Sequence, residues 1–221
     1  MKIVEIYNKY QIMPQLQEHQ LKVAGVAKVI LDNLSLTLEK QEVVTACLLH
    51  DMGNLIKFDL AKICSLFPDK FIFTEEEVAY WENVKAGYVK KYGNDEHHAT
   101  IEIAREIGAS PRVQELINCI GFQNGKANAQ NQDWAKKICA YSDMRVGPIG
   151  VFSLEDRFLD LKVRYGNKHR LMAGNENMRL EFEEGLREIE KQIFSQITLR
   201  PEQITESGVL KLVDDLKAWE I

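Results

Sequence analysis

The chain has 221 residues, 45% of them hydrophobic and 28% charged, with a formal net charge of -5. That length and apolar share suit one domain with a buried core. The acidic balance argues against a general nucleic-acid binder, which carries a basic surface, although a local basic patch can still hold one phosphate. In chain order the dominant period is helical. Residues 15–33 place Val23, Val26, Ala27 and Ile30 on one stripe, and residues 39–51 repeat the pattern with Val43, Val44, Cys47 and Leu48. Phe71-Ile72-Phe73 alone looks strand-like and is too short to count. Thr74 and Glu77 form a capping box for a helix over 75–91. Asn94 is expected to cap the next helix, with Asp95 and Glu96 in its first turn, and Gly108 ends it. Ser110-Pro111 starts another. Gly121 and Gly125 interrupt, and the polar stretch 123–133 reads as a loop before a helix near 131–145 that Gly147-Pro148 terminates. Ser153 and Asp156 pair at the start of a helix over 154–165. Helices near 176–198 and 202–219 follow, set off by Gly166, Gly174 and Pro201.

These elements predict an all-α bundle occupying residues 1–221 as a single domain, with a core over about 15–165 and a helical extension over 166–221. The extension is expected to offer a packing or homodimer surface. No apolar run approaches the ~20 residues that span a bilayer, and charged residues interrupt the opening MKIVEIYNKYQIM, so neither membrane nor signal peptide is expected. Cys47, Cys64, Cys119 and Cys139 lie apart among apolar residues with no CxxC, which predicts four buried thiols in a reducing, cytoplasmic setting.

The chemistry gathers at His50-Asp51, which ends the greasy run VVTACLLHDMGN. A carboxylate at the end of a buried helix needs a partner, because an unpaired buried charge is costly. A metal ion would serve; otherwise Asp51 only turns the chain before Gly53. His19 shares a helical face with Val23, Val26 and Ile30 and so points inward. His97 is placed on the apolar side of its helix with Ile101 and Ala104. His98 lies about 100° away and is expected at the surface, as is His169 among Asn167, Lys168 and Arg170. Asp143, one turn beyond Cys139, is a second inward carboxylate. One divalent cation satisfies most of these separate groups together, and their nitrogen and oxygen donors suit Mn, Fe, Co, Ni or Zn.

The ordered set His19, His50-Asp51 and Asp143 resembles the HD superfamily of metal-dependent phosphohydrolases. The context agrees: EHQLKVAGVAKVI, LLHDMGN, HHATIEIAREIG, YSDMRV and the following SLEDRFLDLKVRYG. The resemblance covers roughly residues 15–165. It implies an all-α bundle of the HD-domain type, with His19, His50, Asp51 and Asp143 as ligands to one metal and coordination positions left open. Two-metal members carry a further histidine where this chain has Gln123. Asn54 stands where several relatives have a catalytic Lys or Glu, and Lys57, one turn on, is the substitute. Asp51, Lys57 and His97 are therefore the catalytic candidates, His97 as proton donor or as an orienting residue. Lys57, Arg145, Arg164 and Asn54 are the candidate phosphate contacts, Arg145 alternatively pairing with a carboxylate and Arg164 alternatively lying on a solvated face. The implied substrate is a small phosphate ester, with a nucleotide phosphomonoester ahead of a phosphodiester and no nucleic-acid polymer. A di-iron oxygenase and a non-catalytic, metal-stapled binding protein are the competing readings.

Overall fold

Residues Val43–Leu49 are all buried, although only one face of a surface helix needs to be. A helix apolar all round belongs in the middle of a bundle, and that is where the computed structural model, which describes residues 1–165 and 176–221, puts it. Helix α3 (Lys40–Leu49) packs against α2 (Pro14–Asn33), α7 (Pro111–Cys119) and α9 (Trp134–Met144). The protein is all-α apart from a hairpin of β1 (Val146–Gly147) and β2 (Gly150–Val151) directly after α9, where Gly147-Pro148 was expected only to end a helix. His169, Gly166 and Gly174 lie outside the described residues.

The capping signals act as expected at most helix ends. Glu77 N–H donates to Thr74 Oγ1 at 3.2 Å, and Thr74 N–H donates to Glu77 Oε2 at 2.8 Å, opening α5 (Glu75–Tyr92). Ser110 caps α7, and Gly108 ends α6 (Glu96–Ile107) in the left-handed region at φ 85°. Asp156 N–H donates to Ser153 Oγ at the start of α10 (Leu154–Tyr165). The cap of α6 is Asp95, not Asn94: its carboxylate accepts from His98 N–H at 2.7 Å. A carboxylate bonds an orphan N–H more strongly than an amide does, and it also complements the helix dipole.

Two short helices escaped the sequence reading. Helix α1 (Ile3–Lys9) buries Ile3, Ile6 and Tyr7, a helical stripe legible in hindsight, and α4 (Leu60–Leu66) is capped by Asp59. The segment 123–133 is not a loop. It forms a 3₁₀ turn and then α8 (Gly125–Gln130), which lies against α11 (Glu176–Phe194). Two glycines permit this approach: a Cβ on Gly185 would sit 2.5 Å from the carbonyl carbon of Gly125. The expected helix over 202–219 is broken into a 3₁₀ turn at Pro201–Gln203, α12 (Glu206–Leu210) and α13 (Val213–Lys217), because Thr205 restarts the chain by capping Gly208 N–H.

The C-terminal helices are part of the main core. Leu186, Ile189 and Ile193 of α11, Val209 of α12 and Leu216 of α13 belong to the same buried cluster as the α2 and α3 residues. Val209 packs on Gly25 in the middle of α2. Cys47, Cys119 and Cys139 are buried as expected, whereas Cys64 is half-exposed on α4. Among the described residues no helix is long and apolar enough to cross a membrane.

Candidate metal centre and its cleft

Three helices and one turn deliver the four candidate ligands. His19 comes from the first half of α2, His50 from the C-terminal end of α3, Asp51 from the turn that follows, and Asp143 from the last turn of α9. The donor atoms of His19, His50 and Asp51 lie within 4.8 Å of one another. Asp143 Oδ1 joins them at 3.2 Å from His19 Nε2 and 3.3 Å from His50 Nε2, and Asp51 Oδ2 lies 3.6 Å from each of those nitrogens. The two imidazole rings are 5.3 Å apart.

The turn after the doublet is held from several sides. Asn54 Nδ2 donates to Asp51 Oδ2 at 2.5 Å, and Asp51 N–H donates to Gln20 Oε1. Gly53 N–H donates to Thr100 Oγ1 at 2.9 Å, and Thr100 donates on to Glu96 O. Gly53 must be glycine here, because a Cβ would lie 2.8 Å from Thr100 N and collide with the α6 backbone. Asn54, a candidate phosphate contact, lines the cleft and is bonded through Nδ2 to the carboxylate of Asp51.

His50 shows whether the set suits a cation. Its Nδ1 lies 2.8 Å from Cys47 O. A carbonyl only accepts, so Nδ1 carries a hydrogen, and in the neutral form of the ring the lone pair lies on Nε2. That Nε2 is buried and has no well-directed hydrogen-bond partner, with carboxylate oxygens of Asp143 and Asp51 3.3 and 3.6 Å away. An orphaned acceptor beside two carboxylates fits a divalent cation, with the backbone carbonyl holding the ligand tautomer from behind.

Protons compete for the same position. Burial alone would lower the pKa of His50, but the charges of Asp51 and Asp143 outweigh it and raise the value to about 9. Burial pushes Asp143 upward, and the two imidazoles more than reverse that, holding it well below 3.8. The raised His50 pKa contributes stability to the metal-free chain that is complete below pH 6.5 and disappears as pH rises through 9. The Asp143 contribution is present above pH 3.8 and is lost only in stronger acid. A bound metal replaces the His50 proton. The gain in melting temperature from saturating Mn²⁺ is therefore expected to be larger at pH 9 than at pH 6, as read by thermal-shift assay. A gain independent of pH would remove His50 from the ligand set.

The cluster lies in the wall of a cleft of about 740 Å³ that also presents His97, Asn118, Gln123, Lys57, Arg157 and Arg164. The cleft lining is close to balanced in charge, with six Lys or Arg and five Asp or Glu side chains. His97 is exposed at the cleft edge, not buried on the apolar face. It belongs to the first turn of α6, while Ile101 and Ala104 further along are buried. Its Nε2 lies 2.8 Å from Asn118 Oδ1. His98 is exposed as expected. Lys57 lines the cleft 3.2 Å from Glu96, and Arg164 lines it with both Nε and Nη2 on Asp160.

Arg145 is a correction. It is 3% exposed and does not line the cleft. Its guanidinium donates to Phe152 O, to Tyr141 Oη at 2.6 Å, and to Pro201 O and Ile204 O at 3.2 Å each. Among the described residues it meets no carboxylate, and it fastens the segment after β2 and the 201–204 turn to α9. Arg157 was missed. It reaches the cleft from α10 and is 8% exposed. Its position three residues before Asp160 and seven before Arg164 puts all three on one face of a helix, the available signal.

Fold and site thus define a helical bundle whose central helix ends in a cluster of two imidazoles and two carboxylates, set in a cleft of mixed charge. Comparison with family models, with curated proteins and with solved structures gives no match for this chain.

Proposed function

We propose that this chain is a phosphohydrolase of the HD type, dependent on one divalent metal, that cleaves a phosphomonoester of a small, nucleotide-sized substrate. The observation that carries the reading is the convergence of His19, His50, Asp51 and Asp143 around the buried Nε2 of His50, which has no well-directed hydrogen-bond partner. A cation held there supplies Lewis acidity, acidifying water and neutralising phosphoryl charge. The chain's residues do the rest. Asn54 fixes the orientation of Asp51, and Thr100 holds the turn beneath it. Asn118 Oδ1 accepts from His97 Nε2, which leaves Nδ1 of a protonated His97 to donate toward a departing alkoxide. Lys57 lines the cleft as an ion pair with Glu96 and can turn its ammonium to an anionic substrate. A volume of about 740 Å³ lies in the range of small-molecule sites, of order 300–1,000 Å³, and suits a nucleotide.

The test combines metal analysis with orthophosphate release over a panel of nucleoside monophosphates and sugar phosphates. The expected result is about one metal per chain and release that stops with chelator and returns with Mn²⁺ or Co²⁺. Cleavage of bis-p-nitrophenyl phosphate without any monoester turnover would instead identify a phosphodiesterase, and metal with no turnover on either kind of ester would leave a binding protein. Within the active protein, His97→Gln is expected to lower kcat by ~10²–10⁴-fold, the usual worth of a positioned acid, while metal content stays unchanged. Equal loss of metal and turnover would make His97 a ligand.

A further inference from the structure

Two cations of the cleft lining, Lys22 and Arg157, are buried, and Arg157 differs in that its Nε is inaccessible and has no hydrogen-bond partner. Its one side-chain hydrogen bond among the described residues runs from Nη1 to Asp160. Asp160 is already engaged by both Nε and Nη2 of Arg164, so Arg157 shares its carboxylate with a second guanidinium. The two cations repel each other across that carboxylate: burial first, then the charge of Arg164, lower the pKa of Arg157, and the field of Asp143 acts in the opposite sense. Arg157 is thus within electrostatic reach of a candidate metal ligand and lines the same cleft.

Burying a guanidinium while leaving a donor unmatched is costly, because the lost hydration is not replaced. A ligand in the cleft can supply acceptors to the guanidinium donors that line it, and reaches the enclosed Nε only if the side chain shifts. A tetrahedral oxyanion matches a guanidinium fork, which offers two parallel donors. Asp160 keeps the two arginines oriented in the absence of that ligand and so lowers the ordering cost of binding.

The geometry points to Arg157 as a substrate-binding residue, with Arg164 beside it, forming an oxyanion subsite on α10 that holds the phosphoryl group of the substrate next to Asp143. This deepens the hydrolase reading and rests on it for the identity of the substrate, but the subsite itself can be probed without turnover.

The experiment measures equilibrium binding of inorganic phosphate to the full chain, metal-free and Mn²⁺-loaded, for wild type, Arg157→Lys and Arg157→Gln, with metal content measured in parallel. Lysine keeps the charge and loses the fork. The expected result is phosphate binding at least about tenfold weaker in both variants, the usual effect of losing ~1.4 kcal/mol or more of charged hydrogen bonding, with metal content as in wild type. If Arg157→Gln does not fold, Arg157→Lys decides the question. Phosphate binding unchanged in Arg157→Lys, or absent from wild type in both metal states, overturns the subsite. Arg157-dependent phosphate binding in a chain that takes up no metal would retain the subsite and sink the hydrolase reading.

Discussion

Asp51→Ala is expected to remove bound metal and phosphate-ester turnover together, with the helical fold intact. Asp51 Oδ2 stands 3.6 Å from the Nε2 of both His19 and His50, so it is the group through which a cation would be shared between the two rings on that side. Loss of an orienting partner outside the ligand set typically weakens metal binding ~10–100-fold. Loss of a ligand itself should exceed that, and after dialysis metal content should fall from about one per chain to near zero. The fold should survive because Asp51 is partly exposed and its turn is also held by the Gly53–Thr100 bond. Metal content by mass spectrometry, circular dichroism and orthophosphate release on one preparation make the comparison. Retained metal with lost turnover would show that Asp51 acts on substrate and is not a ligand.

The second large effect concerns stability. Arg145→Ala should destabilise the chain by about 3–4 kcal/mol, near the upper end for single substitutions. Arginine here donates to three carbonyls and to Tyr141 Oη in a site 3% exposed to solvent. Hydrogen bonds to a charged group contribute about 1.5–3 kcal/mol each, and truncation also leaves their acceptors unmatched. The contributions do not add fully, because the freed 201–204 turn can relax toward water. Urea unfolding gives the number. The folded fraction should keep its metal and its affinity for phosphate. A loss below about 1 kcal/mol accompanied by weaker phosphate binding would restore Arg145 as a substrate contact.

Arg145 also shows where sequence reading stops. Its two-residue distance from Asp143 suggested a carboxylate partner as the alternative to phosphate, yet α9 ends between them: Asp143 is in the last turn, and Arg145, at the C-cap, turns toward β2 and the 201–204 segment. No local pattern encodes the 201–204 carbonyls, which lie 56 residues away or more. His97 erred in the opposite direction. Its spacing to Ile101 and Ala104 was correct, but periodicity gives the face of a helix and not how far along it the core extends. The 123–133 stretch misled because its composition is that of a loop, while the fit of Gly125 against Gly185 across 60 residues makes part of it a packed helix.

What the sequence determined by itself was whatever depends on neighbours a few residues apart. The helical stripes, the Thr74–Glu77 box, the Ser110-Pro111 start and the Gly108 stop are short-range effects of backbone geometry, and they produced an all-α chain with His19, His50 and Asp143 on buried or half-buried faces. Only the tertiary structure decided what those faces meet. It set the 3.2 and 3.3 Å approach of Asp143 to two imidazoles from other helices, left Nε2 of His50 without a well-directed hydrogen-bond partner, drew Arg145 into the core and turned Arg157 toward the cleft. Helix periodicity fixes a direction relative to one axis, whereas a site depends on the crossing of several axes, and that is set by how the packed side chains of the whole core fit together.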